Sequence, residues 1–254
     1  IDMAGILVLS RKEDFLRINK EMLIDIFSQV SLQEVEPKIE VGILSAKTID
    51  IELKSVFLDN LANTYTGSLQ ATARGDKVIL NESIFDELSL VPTEATAVFE
   101  LKNVLIGIGF HWERKENQSF QGSLKLIAKE DKLIAINIVS VEAYLMSVIS
   151  SEMSAKAPLE YLKAHALISR SWLLANQKSR ENLLAQNSET VFVADDETYI
   201  RWYEREAHTD FDVCADDHCQ RYQGITKAST SQAETAVLST RGEVLMWKNE
   251  ICDA

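Results

Sequence analysis

Residues 140–176 constrain the fold more than any other part of the chain, because they hold two helical repeats with one short joint between them. In the first, Val141, Tyr144, Leu145, Val148 and Ile149 fall at i, i+3, i+4, i+7 and i+8. That is one apolar face at helical period. Pro158 suits the first turn of a second helix, where its missing N–H is not needed. From there Leu159, Leu162, Ala166, Ser169 and Leu173 line one side, and no glycine interrupts either repeat. Glu152 sits in the joint, next to Met153. A carboxyl held where two packed helices meet is partly desolvated, which raises its pKa towards a general acid's range. The same position also reads as a solvated loop acid or a helix cap.

Upstream the period changes from helical to alternating. Ile39, Val41 and Ile43 alternate with polar neighbours, as do Ile49, Ile51 and Leu53, which is the signature of half-buried strands. Runs over 78–80, 96–101, 104–110, 122–128 and 133–138 continue the β character. Lys102-Asn103 and Glu130-Asp131-Lys132 are turn-like joints and predict hairpins. Glu116-Asn117-Gln118-Ser119 reads as a loop. In the polar cluster His111-Trp112-Glu113-Arg114, the tryptophan either stacks on a sugar face or lies half-buried between strands. Ahead of Pro37, which ends a helix, Phe15, Ile18, Met22, Leu23, Ile26 and Val30 repeat at helical spacing. Residues 1–36 are therefore an amphipathic segment that docks on the strand-rich region after it, or an appendage with a partner of its own.

Beyond the second helix, Glu197 to Glu206 is dense in charge and aromatics and suggests a short helix. Its Tyr199, Trp202 and Tyr203 form either part of a saccharide groove or a packing cluster. The tail predicts a polar loop from Thr226, a helix over Ser231 to Leu238, a turn at Gly242 and a strand over Val244 to Trp247. The fold class is thus α+β: a strand-rich N-terminal half of antiparallel hairpins, a helical core carrying Glu152, and a short C-terminal helix–strand unit.

The formal charge of −13 makes nucleic acid an unsuitable partner, since such binders cluster Lys and Arg to displace counterions. The longest basic cluster here is a pair, and no apolar run approaches the ~20 residues of a membrane span. An uncharged or zwitterionic polymer such as a glycan strand is compatible with this surface. With 254 residues the chain buries a sizeable core without staples.

Four soft ligands lie close together near the C-terminal end. His208, Cys214, His218 and Cys219 fall within twelve residues and include two of the 4 His and two of the 3 Cys. Thiolate and imidazole are the ligands zinc prefers, and four of them satisfy a closed tetrahedral site. His218 and Cys219 both reach one metal only if the backbone turns tightly, which Asp216 and Asp217 favour. A short Cys214–Cys219 disulfide, or two idle thiols, are the rival readings. Cys252 stands apart from the other two cysteines in the sequence.

The wording of the central stretch resembles the stage II sporulation protein D family, which also contains the amidase enhancers. The matching residues are Val139, Val141, Glu142, Tyr144, Leu145, Val148, Ile149, Glu152, Met153, Pro158, Leu162, Lys163, Ala164, Ala166, Arg170 and Ser171. His165 and Trp172 depart from it, standing where the family usually has Gln and often has Tyr. Asp212, Val213, Cys214, His218, Cys219 and Gln220 resemble a second family pattern, as do Ala236, Val237, Thr240, Gly242, Val244 and Leu245. The resemblance implies a lytic transglycosylase acting on peptidoglycan glycan strands and leaving 1,6-anhydromuramic ends, with Glu152 as the acid. It also implies zinc near that glutamate, export to the cell envelope or periplasm, and a domain over 120–254 that the family continues beyond Ala254. A variable strand-rich region over 37–119 precedes it. Lys163, Arg170 and Tyr203 are the candidate substrate-binding residues, with surface solvation as the plainer role for the first two. The alternative function is a non-enzymatic glycan-binding enhancer of a cell-wall amidase.

Overall fold

Apolar alternation in the sequence becomes alternation of buried and exposed positions across the first half of the chain. The structure is a computed structural model and describes residues 30–32, 36–153, 157–183, 192–194, 199–201, 208–226 and 230–252. Its first strands are β1 (Val30–Leu32), β2 (Lys38–Ala46), β3 (Thr48–Leu58), β4 (Thr64–Arg74), β5 (Lys77–Leu80) and β6 (Ser83–Phe85). After these come β7 (Glu87–Pro92), β8 (Val98–Ile106), β9 (Arg114–Gln121), β10 (Ser123–Lys129) and β11 (Lys132–Ser140). The next elements are α1 (Val141–Glu152), α2 (Leu159–Leu183), β12 (Phe192–Ala194), β13 (Tyr199–Arg201) and β14 (Val213–Cys214). The last are α3 (Ser231–Ser239), β15 (Glu243–Trp247) and β16 (Glu250–Ile251). The α+β class read from the sequence is the observed one.

β2 to β11 and β14 form one eleven-stranded sheet, in the order β14-β2-β11-β10-β7-β3-β4-β5-β6, with β8 joined to β3 and β9 to β8. Its pairings are antiparallel except for β14 on β2. In β3, Ile49, Ile51, Leu53 and Phe57 are buried while Asp50 and Lys54 face solvent. They meet Leu88, Leu90, Phe99, Leu101, Leu124, Leu126 and Leu133 in a core that runs without a break into α1. A file of aromatic rings marks the route. Phe57 meets Phe99 edge-on at 6.1 Å, Phe99 stacks on Phe120 at 5.4 Å, Phe120 meets Tyr222 at 5.9 Å, and Tyr222 stacks on Tyr144 of α1 at 5.0 Å. Among the described residues no helix is long and apolar enough to cross a membrane.

The hairpin expected at Glu130-Asp131 is present. Both residues have positive φ, 51° and 63°, and they join Lys129 to its partner Lys132, as a two-residue primed turn requires. The other expected hairpin is not. Lys102 and Asn103 lie inside β8, where the register with β9 shifts between Leu101 and Val104. Asn103 takes φ 55°, a left-handed conformation that asparagine tolerates, so the polar pair makes a bulge rather than a turn. Glu116 to Ser119 is likewise strand, within β9; alternation there places one polar residue, Gln118, on the buried face. Residues 199–201 are strand, paired with β12, and not the helix read from the sequence; Tyr199 and Ile200 are residues that favour strands. Trp202 and Tyr203 lie outside the described residues, as do 1–29. Val30, expected at the end of a helical repeat, begins the short strand that pairs with β15.

Where the helices meet, a buried ion pair joins their apolar packing. Arg170 of α2 is 1% exposed. Its Nη2 and Nε donate to Glu142 of α1 at 2.6 and 3.0 Å, and Nη1 and Nη2 donate to the carbonyls of Glu243 and Val237 at 3.0 and 3.5 Å. Glu142 also accepts from the backbone N–H of Gly242 at 3.2 Å. One guanidinium thus bonds to α1, to β15 and to α3, all from α2. The start of α1 is capped by Ser140, whose side chain accepts from the Ala143 N–H.

Acid sensitivity is expected from a second carboxylate. Hydrogen bonds from Lys102 and Lys54 lower the pKa of Glu100 to about 2. A depressed folded-state pKa contributes stability that is fully present above the unfolded value, near 4.5, and is lost as pH falls towards 2. Both lysines are substantially solvated, so the contribution is about 1 kcal/mol. Denaturant unfolding at pH 7 and pH 2.5 should show Glu100→Gln less stable than wild type at pH 7, with much of the gap closed at pH 2.5. A gap that does not change with pH would reject the assignment.

Candidate functional site

Glu152 is the last residue of α1, and Met153 leaves the helix in extended conformation. The carboxylate is held from two sides. His165, on the second turn of α2 and 5% exposed, meets Oε2 through Nε2 at 3.2 Å. The backbone N–H of Arg221 donates to Oε1 at 3.0 Å. The Glu152 side chain remains 27% exposed, so it is anchored yet open to solvent. The elbow read from the sequence therefore holds the carboxyl by direct hydrogen bonds and does not leave it as a loose loop acid.

The loop 208–226 makes this possible because it lies across both helices. Gln220 donates to the Ser169 carbonyl of α2 at 3.4 Å, and the Gln223 N–H donates to Ser147 Oγ of α1 at 3.0 Å. The Tyr222 hydroxyl donates to buried Asn137 of β11 at 2.6 Å. The loop's first part is fixed by β14, which runs parallel to β2 in the register Val213↔Val41 and Cys214↔Gly42. The Phe211 ring rests on Gly42, where a Cβ would stand 2.5 Å from it; any larger residue there would push the loop away.

This docking gathers the soft ligands. Cys219 Sγ is 3.4 Å from His208 Nε2 and 3.4 Å from His218 Nδ1, and Cys214 Sγ is 3.8 Å from His218 Nδ1. All four ligand atoms lie within 4.8 Å of one another. Tetrahedral bonds of zinc length separate ligand atoms by roughly 3.3–3.8 Å, so the set fits a metal ion with little adjustment. The tight turn is observed: the Cys219 N–H donates to the Asp216 carbonyl at 3.1 Å. No disulfide joins Cys214 to Cys219. The Cys214 thiol is held well below its ordinary range, chiefly by its hydrogen bond with Cys219 and then by that with His208. A thiol of that character is ready to serve as a thiolate ligand.

The remaining candidates separate. Lys163 pairs with Glu160 on its own helix at 2.8 Å. Arg170, seven residues on and expected on the same surface stripe, is enclosed in its ion pair with Glu142, because α3 and β15 cover that part of α2. Tyr203 lies outside the described residues. Trp112 is half-buried: its ring lies over Gly107, stacks with Phe110 at 5.6 Å and has the Arg221 guanidinium at 4.7 Å. Arg221 is also paired in two-point fashion with Asp217 at 2.9 and 3.0 Å.

Two site residues escape a reading of the sequence. His165 is visible there only as a departure from the family's glutamine. Arg221 acts through its backbone N–H, which no side-chain pattern reveals.

Comparison with known proteins covers this region. A family model described as Stage II sporulation protein matches residues 129–247, from the end of β10 through β15. An uncharacterized protein of Brachyspira hyodysenteriae is 28% identical over 132 residues, which covers 52% of this chain and 29% of that protein. The chain thus matches under a third of that relative's length. No solved structure matches the chain.

Proposed function

Residues 129–247 belong to the stage II sporulation protein family, and from that premise we propose that the chain is a lytic transglycosylase cleaving peptidoglycan glycan strands. The cell-wall role comes with the family; the reaction is inferred from Glu152. The observation that carries it is a single carboxyl, fixed between His165 and the Arg221 N–H and still open to solvent. Protonated, Glu152 gives its proton to the glycosidic oxygen as the bond to the anomeric carbon breaks. Ionised, it takes the proton of the muramic 6-hydroxyl as that oxygen bonds to the same carbon. The 1,6-anhydro ring closes, the carboxyl ends protonated as it began, and no water is consumed. One residue serves both steps, unlike the two flanking carboxylates of the hydrolases. Asp217 is held in an ion pair with the guanidinium of Arg221, whose backbone N–H donates to Glu152.

Zinc is the metal we assign to His208, Cys214, His218 and Cys219. A four-ligand closed site supplies structural crosslinking of the 208–226 loop rather than an open coordination position. The Arg221 N–H that holds Glu152 is two residues from Cys219, so the fixed loop holds the carboxyl in turn. Protein purified without added metal should contain about one equivalent of zinc, and Cys219→Ser should lose it. The thermal midpoint of Cys219→Ser should fall by about 10 °C, equivalent to a few kcal/mol. Less than about a tenth of an equivalent in wild type would reject the assignment.

The test of the reaction is mass spectrometry of soluble fragments released from purified sacculi, both denuded and peptide-bearing. Fragments with 1,6-anhydro ends are expected. Reducing ends would make the chain a hydrolase, and sacculus binding with no fragments at all would assign it the non-enzymatic role of an amidase enhancer.

A further inference from the structure

A cavity of about 200 Å³ is lined in part by Arg221, the residue whose backbone N–H holds Glu152. Its walls come from β2, from the end of β8 and the loop after it, from β9, and from the 208–226 loop. Ile43, Val104, Ile106, Trp112 and Phe211 make it largely apolar. Gln118 of β9 is part of this lining and is fully buried, yet neither its amide nitrogen nor its carbonyl oxygen has a hydrogen-bond partner among the described residues. Gln223, 4% exposed, lines the same cavity, and its side-chain carbonyl oxygen is likewise unpartnered.

A buried carboxamide without partners destabilises a fold, and native interiors avoid it. Nothing about the strand demands one at this position. Phe120, two residues on and on the same face, is core, and a leucine at 118 would satisfy the same apolar wall. A donor and an acceptor kept idle in an apolar pocket fit a site that a ligand completes. The lining sets the ligand's chemistry. It must offer an acceptor to the Gln118 amide and a donor to the Gln118 or Gln223 carbonyl. It is uncharged where it meets the valine and isoleucine wall, which does not tolerate a bare charge; the charged residues of the lining are Asp216 and Arg221. It must also carry a small apolar group for the valine and isoleucine side chains. An N-acyl amide meets all three conditions.

Arg221 connects this cavity to Glu152. Its residue lines the cavity, and its backbone N–H donates to the Glu152 carboxylate at 3.0 Å. We propose that the cavity is a recognition pocket for an N-acyl amide on the polymer that lies along Glu152, with Gln118 as the residue that reads it. Which polymer presents the amide rests on the glycan-strand reading of Glu152. The amide is either the acetamido group of an amino sugar or that of an attached peptide.

Calorimetry on the full chain separates these sources with three probes. Chitotriose carries acetamido groups, cellotriose has hydroxyls in their place, and N-acetylalanine methylamide is a peptide amide with no sugar. Chitotriose is expected to bind at least about tenfold tighter than cellotriose, a modest value for a site built to hydrogen-bond a group its competitor lacks. Gln118→Leu should erase that preference while leaving the thermal midpoint unchanged or raising it. A structural glutamine would do the opposite, lowering the midpoint and sparing the preference. Val104→Phe, which adds bulk to the wall, is the second variant and should also lose the preference. If the peptide amide alone binds in a Gln118-dependent way, the pocket stands and its ligand comes from the peptide. Equal affinity for the two sugars, with no Gln118-dependent binding of the peptide amide, overturns the proposal. No turnover is needed. A chain that cleaves nothing but shows the preference keeps the pocket and loses the lytic reading; cleavage without the preference does the reverse.

Discussion

Glu152→Gln is expected to slow the release of anhydro-ended fragments from sacculi by about three to four orders of magnitude, with the fold and sacculus binding intact. The size follows from the double duty of the residue. A positioned acid or base contributes typically ~10²–10⁴ in rate, and here the same group fills both roles, which places the loss in the upper part of that range. In activation free energy this is about 4–5.5 kcal/mol. The fold should survive because glutamine keeps the contacts. Its carbonyl oxygen accepts from the Arg221 N–H where Oε1 does now, and its amide donates to His165 once the ring carries its proton on the other nitrogen. That exchange of tautomer is available because His165 Nδ1 has no partner of its own among the described residues. The thermal midpoint should therefore move by no more than about 1 °C, a surface-substitution effect. Fragment release at the wild-type rate would remove Glu152 from the chemistry. A collapse of the midpoint would recast it as a structural bridge between α1, α2 and the 208–226 loop.

Arg170→Met should have the opposite signature. Methionine keeps much of the side chain's length but leaves Glu142, 5% exposed, with an uncompensated charge. Its surviving contact with the Gly242 N–H at 3.2 Å is a poor substitute for a two-point guanidinium. Breaking a buried pair in this way costs about 3–5 kcal/mol, which for a domain of this size lowers the thermal midpoint by roughly 10 °C. The double variant Glu142→Leu with Arg170→Met removes both charges and should recover most of the loss, since an apolar replacement of the whole pair is often neutral. Thermal unfolding of the single and the double variant beside wild type measures this directly. The rate per folded molecule should stay near wild type, because the guanidinium faces Glu142, Val237 and Glu243 rather than the Glu152 groove. A wild-type midpoint combined with a raised KM would return Arg170 to the substrate-binding role that its place in the sequence motif suggested.

Local pattern carried a large part of this structure. The alternation of Ile49, Ile51 and Leu53, and the spacing of Val141, Tyr144, Leu145, Val148 and Ile149, each report a repeat shorter than one element. The buried face of a strand or helix can be read from such a repeat without knowing what covers it. The same holds for the Glu130-Asp131 turn and for the four soft ligands, whose chemistry survives any folding that brings twelve consecutive residues together. Polar segments misled for the converse reason. Lys102-Asn103 and Glu116 to Ser119 look like loop material, yet both lie in strands, because a bulge absorbs one and the other pairs in register with β8.

By itself, then, the sequence determined the α+β class, the elbow that bears Glu152, and the His and Cys set, because each depends on neighbours within a turn or two of chain. Only the tertiary structure decided what those parts do together. Glu152 meets a backbone N–H 69 residues away, Arg170 reaches a carbonyl 73 residues away, and Tyr222 reaches Asn137 across 85. Such contacts are created by one loop settling over two helices and a sheet edge, and no periodicity in the chain encodes where that loop comes to rest.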